Sequence, residues 1–267
     1  FAVAPAQGFY QLYYAHNLHM LAFSAMMEGR EKLATETAAQ LVADIPASFV
    51  DELPEFVDGL MSTPLHVMVR FGKWDEILAE PEPPATRLLS RAQWHYARGL
   101  AFSSLGRIEE AGVEQLAFEV AAEAVPEEWR VGSNPSAEVL ALARQMLKGE
   151  LLWREGQADE AFAALAEGAR LEDLLVYDEP PGWMQPVRHA FGALLMADKR
   201  FAKAERVYVE DLRRNPGNGW ALLGLREALQ SQGKDGPAAK ADAKLSAAWK
   251  RADINAMSSC FCEPGTP

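Results

Sequence analysis

The sequence predicts an all-α protein made of about five to six helical hairpins, with no sheet. Leu and Ala are abundant while Ile and Thr are scarce, and unbranched side chains lose little rotamer freedom in a helix. No segment shows the alternation of apolar and polar residues that is typical of a strand. A fixed spacing of small residues recurs along the chain, which indicates that one structural unit is used repeatedly.

The recurring spacing is a small residue, a glycine seven residues later and an alanine five residues after that. The first small residue allows two helices to approach closely, and the glycine ends the first helix in a left-handed conformation. The alanine lies where the second helix crosses the first. The copies are Ala22, Gly29 and Ala34; Gly99, Gly106 and Ala111; Gly149, Gly156 and Ala161; Gly192, Lys199 and Ala204; the half-copy Gly233 and Ala238; and the degenerate copy Leu65, Gly72 and Ile77.

The helices that this spacing predicts fill most of the chain. Insertions at 44–60, 125–135 and 172–182 contain prolines that suit loops or helix starts. We expect a single domain over residues 1–253 and an irregular tail over residues 254–267. The predicted helices are 9–28, 30–44, 50–71, 74–79, 86–105, 107–124, 136–155, 157–174, 182–198, 200–214, 217–232 and 236–253.

The spacing resembles that of the tetratricopeptide repeat (TPR), a helix-turn-helix unit of about 34 residues. The best copy runs from about 185 to 217 and has Gly192, Leu195, Ala204, Tyr208 and Pro216 at the expected offsets. Over residues 8–253 the chain is similar to a group of bacterial TPR proteins. The strings that carry this similarity are YYAHNLHMLAFSAMMEGR, LHVMVRFGKWDEILAEP, HYARGLAF, DEPPGWMQPVRHAFGALL and VYVEDLRRNPGNGWALLGL.

The resemblance implies a right-handed α-solenoid in which the first helix of each hairpin lines a concave surface. Relatives in this group are longer, so the resemblance also implies that the chain corresponds to their C-terminal half. The start at Phe1, without Met or a leader, fits a C-terminal portion or a processed form, in the bacterial cytoplasm or after export. The group has no firmly assigned reaction, so the resemblance implies a fold and not an activity.

Lining positions in such repeats lie about 13, 10, 6 and 3 residues before the middle glycine. Four of the five histidines fall on them, which places these histidines on one concave surface, whereas His95 falls on a packing position. The acidic loop 178–183 is either a plain connection or a lid over the groove near His189. The predicted groove-binding residues are His16, His19, His66, Tyr96, Glu150 and His189.

These residues support two functional hypotheses. The leading one is a non-enzymatic scaffold whose concave groove binds a peptide or protein partner. The alternative is a transition-metal site for copper or zinc at His16, His19 and His66, because two of these imidazoles share one helix face. Cys260 and Cys262 add thiolates if the tail folds back, and no disulfide is expected between residues so close in sequence.

Composition and motifs disfavour other classes of protein. The formal net charge of −12 argues against nucleic acid as a partner. No GxxxxGK[ST], HExxH or GxSxG motif occurs, and no enzymatic activity is predicted. No apolar run approaches the roughly 18 residues of a membrane span. The ends of the solenoid are candidates for self-association.

Overall fold

The computed structural model describes residues 9–262 and is mostly helical. The predicted starting segment before residue 9 and the end of the predicted tail, residues 263–267, lie outside the described residues. The first helices are α1 (Phe9–Met27), α2 (Glu31–Asp44), α3 (Ala47–Glu52), α4 (Pro54–Val57), α5 (Thr63–Arg70), α6 (Trp74–Ala79) and α7 (Leu88–Ser104). They are followed by α8 (Ile108–Glu123), α9 (Ser136–Arg154), α10 (Ala158–Glu172), α11 (Val187–Ala197), α12 (Phe201–Arg214), α13 (Gly219–Gln230) and α14 (Asp235–Ala248).

Six hairpin turns share one backbone geometry, as the spacing predicts. The middle residue of each turn is left-handed, with φ between 59° and 79°, and the next amide donates back to a carbonyl of the preceding helix. In α7–α8 this bond joins Arg107 N to Phe102 O at 2.8 Å, and in α11–α12 it joins Arg200 N to Leu195 O at 2.8 Å. The same left-handed turn therefore ends the first helix of each of these six hairpins. The middle residues are Gly29, Gly72, Gly106, Gly156, Lys199 and Gly233.

Small residues allow the two helices of a hairpin to pack closely. A Cβ placed on Gly149 of α9 would lie 2.7 Å from Leu165 of α10, and one on Gly192 of α11 would collide with the Tyr208 ring of α12. This confirms the role assigned to the first position of the repeated spacing.

Each hairpin packs mainly on its neighbours in the chain, which is consistent with an α-solenoid. α2 contacts α5, α5 contacts α7, α7 contacts α9, and α11 contacts both α10 and α13. The largest apolar core runs from α7 to α13. All-α architecture and a helical repeat are thus established for the described residues.

The first and last hairpins also contact each other. The indole of Trp220 in α13 donates through Nε1 to the carbonyl of Met26 at 2.8 Å, and Trp249 donates to Met27 O at 3.1 Å. Arg251 pairs with Glu28 across the same boundary. The two ends that the sequence offered for self-association are therefore partly engaged with one another inside the chain.

Prolines account for the helices whose bounds were predicted wrongly. The predicted helix 50–71 is interrupted, because the ring of Pro54 clashes with the carbonyl four residues earlier and starts a new helix instead. A 3₁₀ turn, Asp58–Ser62, then leads into α5. The predicted helix 182–198 begins only at Val187, since Gln185 precedes a proline and is disfavoured in the α region.

A short β-ladder corrects the prediction that the chain has no sheet. β1 (Arg130–Val131) pairs antiparallel with β2 (Asn134–Pro135), with Gly132 left-handed at φ 57° in the turn between them. The ladder lies in the predicted 125–135 insertion. In the part of the chain that the structure describes, no helix is both long and apolar enough to cross a bilayer.

Candidate functional site

The C-terminal segment, residues 252–262, folds back onto the hairpins. Asp253 begins this contact, with its amide donating to Gly29 O at 3.0 Å. Its carboxylate accepts from the amides of Glu31 at 2.6 Å and Lys32 at 3.3 Å, so it caps the start of α2, where Arg30 offers no side-chain cap. A residue 222 positions away from Glu31 thus completes the first hairpin.

The C-terminal segment packs against two of the turn glycines. A Cβ on Gly29 would lie 3.1 Å from Ile254, and one on Gly72 would lie 2.7 Å from Phe261. The Phe261 ring stands edge-on to Trp220, with ring centroids 5.8 Å apart. Glycine is needed at these turns for close approach as well as for its left-handed backbone.

A buried polar network holds the middle of the C-terminal segment. Arg70 donates through Nη2 to Ser259 O at 2.8 Å and through Nη1 to His189 Nδ1 at 2.9 Å. Because guanidinium groups only donate, His189 Nδ1 accepts, and its proton resides on Nε2, 3.2 Å from Asp211 Oδ2. Ser259 Oγ donates to His189 O at 2.7 Å, and Tyr208 OH lies 2.7 Å from the same hydroxyl.

His189 is therefore a neutral bridge between a buried cation and a buried anion. Burial lowers its pKa, which matches the tautomer that Arg70 imposes. Asp211 favours the charged form of Arg70, although burial lowers the guanidinium pKa to about 9. His189 is 1% exposed, so it supports the C-terminal segment and does not face an open groove.

The cysteines lie at the end of the C-terminal segment. Cys260 and Cys262 form a disulfide, so the expectation that they would not pair is wrong. Arg154 donates through Nη2 to Cys262 O, which fixes the chain at this point. The carboxylate of Glu150, 2% exposed, has an oxygen within 4.8 Å of both sulfur atoms. The tail cysteines thus lie beside Glu150 and do not share a cavity with His16 and His19.

A second cavity has a volume of about 230 Å³, and we call it the histidine cavity. His16 and His19 of α1 line it, together with Phe56 and the loop that contains Asp178 and Glu179. His16 lies eleven residues before the end of α1, which is about 16 Å along the helix axis. His16 is thus well separated from the turn at Gly29, against which Ile254 of the C-terminal segment packs.

The small β-ladder positions the acidic loop of the histidine cavity. Asp178 Oδ2 accepts from the amide of Ser133 at 2.6 Å, and Asn134 Oδ1 accepts from the amide of Val176 at 2.8 Å. A side chain on Gly132 would collide with Asp178. The loop was predicted to be a plain connection or a lid near His189, and the structure places it against His16 and His19 instead.

His19 and His66 have neutral imidazoles at pH 7. Burial lowers the pKa of His19 to about 3, and the neighbouring His66 and His16 lower it further. Burial lowers the pKa of His66 to about 4. His19 Nε2 lies 3.2 Å from Met184 Sδ, and the His66 ring stands edge-on to Trp183 with centroids 5.4 Å apart.

The structure divides the predicted site residues into two groups. His16, His19 and His66 lie near one another, close enough to influence the protonation of His19. Tyr96 is 1% exposed and packs edge-on to Trp183, with ring centroids 5.4 Å apart, so it belongs to the interior. Glu150 and His189 contact the C-terminal segment instead.

The two groups differ in how well their ligand atoms converge. Across residues 9–262, one set of three or more His, Cys, Asp or Glu residues has ligand atoms that all lie within 4.8 Å of one another: Glu150, Cys260 and Cys262. His16, His19 and His66 do not meet that criterion with their present side-chain rotamers. A metal shared by these histidines requires rotation of at least one imidazole.

Sequence reasoning missed the polar residues that hold the C-terminal segment. Arg70, Asp211 and Ser259 lie far apart in the sequence and share no motif. Met184 beside His19 was missed for the same reason. Composition offered one signal, because an arginine among the apolar residues of α5 needs a buried partner.

The described residues thus offer two sites with different chemistry. The histidine cavity has imidazoles, carboxylates and an aromatic ring around it. The second site has the Glu150 carboxylate beside the two sulfur atoms of Cys260 and Cys262. No protein-family model matches the chain, and no curated protein is significantly similar to it.

Proposed function

We propose that the chain is a TPR-type, right-handed α-solenoid that serves as a non-enzymatic scaffold and binds a peptide segment of a protein partner. The repeated spacing and the six identical turns support the TPR assignment. Binding of an extended segment on the inner surface is the usual use of such scaffolds.

The histidine cavity is the observation that carries this proposal. An exposed aromatic ring lines it, and aromatic residues are favoured at protein interfaces. This ring belongs to Phe56, which is 47% exposed. A volume of about 230 Å³ accommodates one or two side chains of a bound segment.

The contacts of the C-terminal segment illustrate how the scaffold holds a peptide. Arg70 and Arg154 donate to the carbonyls of Ser259 and Cys262, and Phe261 packs over a turn glycine. Main-chain hydrogen bonds and an aromatic anchor are the contacts that a partner segment would also use.

The charges around the histidine cavity favour a cationic side chain on the partner. Asp178 and Glu179 are carboxylates at its wall, and the chain as a whole carries a formal charge of −12. His19 is neutral at pH 7 and adds no opposing charge. We therefore expect the recognised segment to present Lys or Arg beside an apolar residue.

A displayed peptide library, selected on the full chain, tests this proposal. Enriched peptides should carry Lys or Arg, and Phe56→Ala should weaken their binding by about tenfold or more. Leu116→Ala is the matched control, since Leu116 is also apolar and is 70% exposed, on α8. Failure to enrich any basic motif, or equal loss in the two variants, would contradict peptide binding at this cavity.

A second candidate function is binding of copper or zinc by His16, His19 and His66. The observation in its favour is that burial keeps His19 and His66 neutral, which is the form that binds a metal. The thioether of Met184, 3.2 Å from His19 Nε2, suits Cu⁺. The ion would draw the imidazoles together by rotation about their side-chain bonds.

Elemental analysis of protein purified without a chelator or a histidine tag tests the metal candidate. About one equivalent of copper or zinc is expected, and His19→Gln should release it. Less than about a tenth of an equivalent, with no tight binding of added metal, would rule this candidate out.

A further inference from the structure

Glu150, Cys260 and Cys262 bring together ligand atoms that no function described above uses. A Glu150 carboxylate oxygen and both sulfur atoms lie within 4.8 Å of one another. Glu150 is 2% exposed and Cys262 is 4% exposed, and Cys260 is partly buried. The set joins helix α9 to the end of the C-terminal segment, so its members are held from two directions.

We propose that, in the reduced protein, Glu150, Cys260 and Cys262 form a binding site for one Zn²⁺ ion. This site is distinct from the histidine cavity and does not depend on peptide binding there. It would convert the C-terminal segment from a disulfide-closed end into a segment tethered to α9 by a metal.

A small space beside these three residues has room for the remaining ligand of the ion. Its volume is about 20 Å³, and its lining includes Glu150, Cys260, Cys262 and Met146. About 10–15 Å³ suffices for one water molecule. Three protein ligands and one water complete the four-coordinate geometry that zinc prefers.

Formation of the site begins with reduction of the disulfide. A phosphine reductant supplies two electrons and is oxidised to the phosphine oxide, while one water molecule supplies its oxygen and the two protons that convert the Cys260–Cys262 bond into two thiols. Zn²⁺ then replaces the two thiol protons, which pass to solvent. The reduced thiols, unlike the disulfide, can also donate hydrogen bonds to the Glu150 carboxylate.

The surrounding charges suit the bound state. Two thiolates, one carboxylate and Zn²⁺ sum to a charge of −1. Arg154 donates to the carbonyl of Cys262, and Arg70 lines the small space beside the three ligands. Two guanidinium groups therefore lie near the proposed site. Two sulfur ligands and one oxygen ligand favour a borderline ion such as Zn²⁺ over the hard ions Mg²⁺ and Ca²⁺.

Cadmium, a spectroscopic substitute for zinc, tests the proposal on the full chain. The protein is reduced with a phosphine, freed of reductant without air, and titrated with Cd²⁺ while thiolate-to-metal charge transfer is followed in the ultraviolet. We expect a band that saturates at about one equivalent and disappears when excess Zn²⁺ is added. The disulfide-bonded protein should give no band.

Two variants show whether Glu150 is a ligand. Glu150→Gln keeps the size of the side chain and should weaken Zn²⁺ binding by about tenfold or more. Glu155→Gln, on an exposed residue just after the same helix, is the matched control and should bind as the parent does. Circular dichroism of both variants confirms that they fold.

Three results would overturn the proposal. They are the absence of a charge-transfer band in the reduced protein, a band of equal strength in Cys260→Ser/Cys262→Ser, and unchanged Zn²⁺ affinity in Glu150→Gln. His19→Gln should leave the band intact, so a metal at the histidine cavity gives a different outcome from a metal at Glu150. Selection of peptides at the histidine cavity is unaffected by any of these results.

Discussion

The protonation states and hydrogen bonds of several side chains in this protein depend on partners that are distant in sequence. His189 is neutral because Arg70 donates to its Nδ1, while its Nε2–H donates a hydrogen bond to Asp211. His19 and His66 are neutral because burial disfavours their charged forms. His16 and His66 lie close enough to His19 to lower its pKa, but no local pattern indicates which polar residue meets which.

Acid should destabilise the protein through His19 and His66. Their folded pKa values of about 3 and 4 lie below the unfolded value, so the unfolded chain binds more protons at intermediate pH. Stability therefore falls as pH drops from about 6.5 toward these folded values, by up to about 1.4 kcal/mol per pH unit for each histidine.

Urea denaturation of His19→Gln between pH 6 and pH 4 measures this contribution. The parent should show an extra slope of about 1 kcal/mol per pH unit that His19→Gln lacks. Burial raises the pKa of Glu172 to about 8, so this residue stabilises the folded state as the pH falls. Its contribution is the same in the parent and in the variant, and it cancels when their unfolding free energies are compared. Parallel curves for His19→Gln and the parent would show that the His19 imidazole is not held neutral.

At the scale of elements, the turn residue decides where each helix ends. The sequence predicted all six left-handed positions, because this backbone requirement is local and glycine meets it at five of them. The interrupted helix between 50 and 71 was missed, since a single proline overrode an apolar pattern that otherwise continues. Helix ends set by local sterics were thus predictable, and a break in the middle of a helix was not.

Exchanging residue types at two turns tests this account. Lys199 is exposed and holds φ at 59°, so Lys199→Gly should stabilise the protein by about 1 kcal/mol. Gly106 holds φ at 74° with open space around its Cα, so Gly106→Ala should destabilise it by about 1 kcal/mol through backbone strain alone. Urea midpoints measure both changes, and shifts of the same sign in both variants would refute the turn assignment.

At the scale of the whole molecule, the C-terminal segment packs across several hairpins, and the first and last hairpins contact each other. Neither was predictable, because contact between the ends depends on small rotations summed over every hairpin and on the insertions between them. The string Ser258-Ser259-Cys260-Phe261-Cys262 has no helical period, so it was predicted as an irregular tail whose cysteines meet a metal only if the tail folds back. Its position follows from the turn glycines and from Arg70, which act together only after the hairpins have stacked.

The central claim is that the stacked hairpins hold a peptide segment on their inner surface. The most direct test places a site-specific protease sequence between the exposed residues Lys250 and Arg251, cleaves it in the folded protein, and adds a fluorescent synthetic copy of residues 251–262. The account predicts that the cleaved segment stays bound and that the copy exchanges with it saturably, with a Kd of about 10 μM or tighter. Loss of the segment on cleavage, with unchanged thermal stability and no binding of the copy, would contradict the claim.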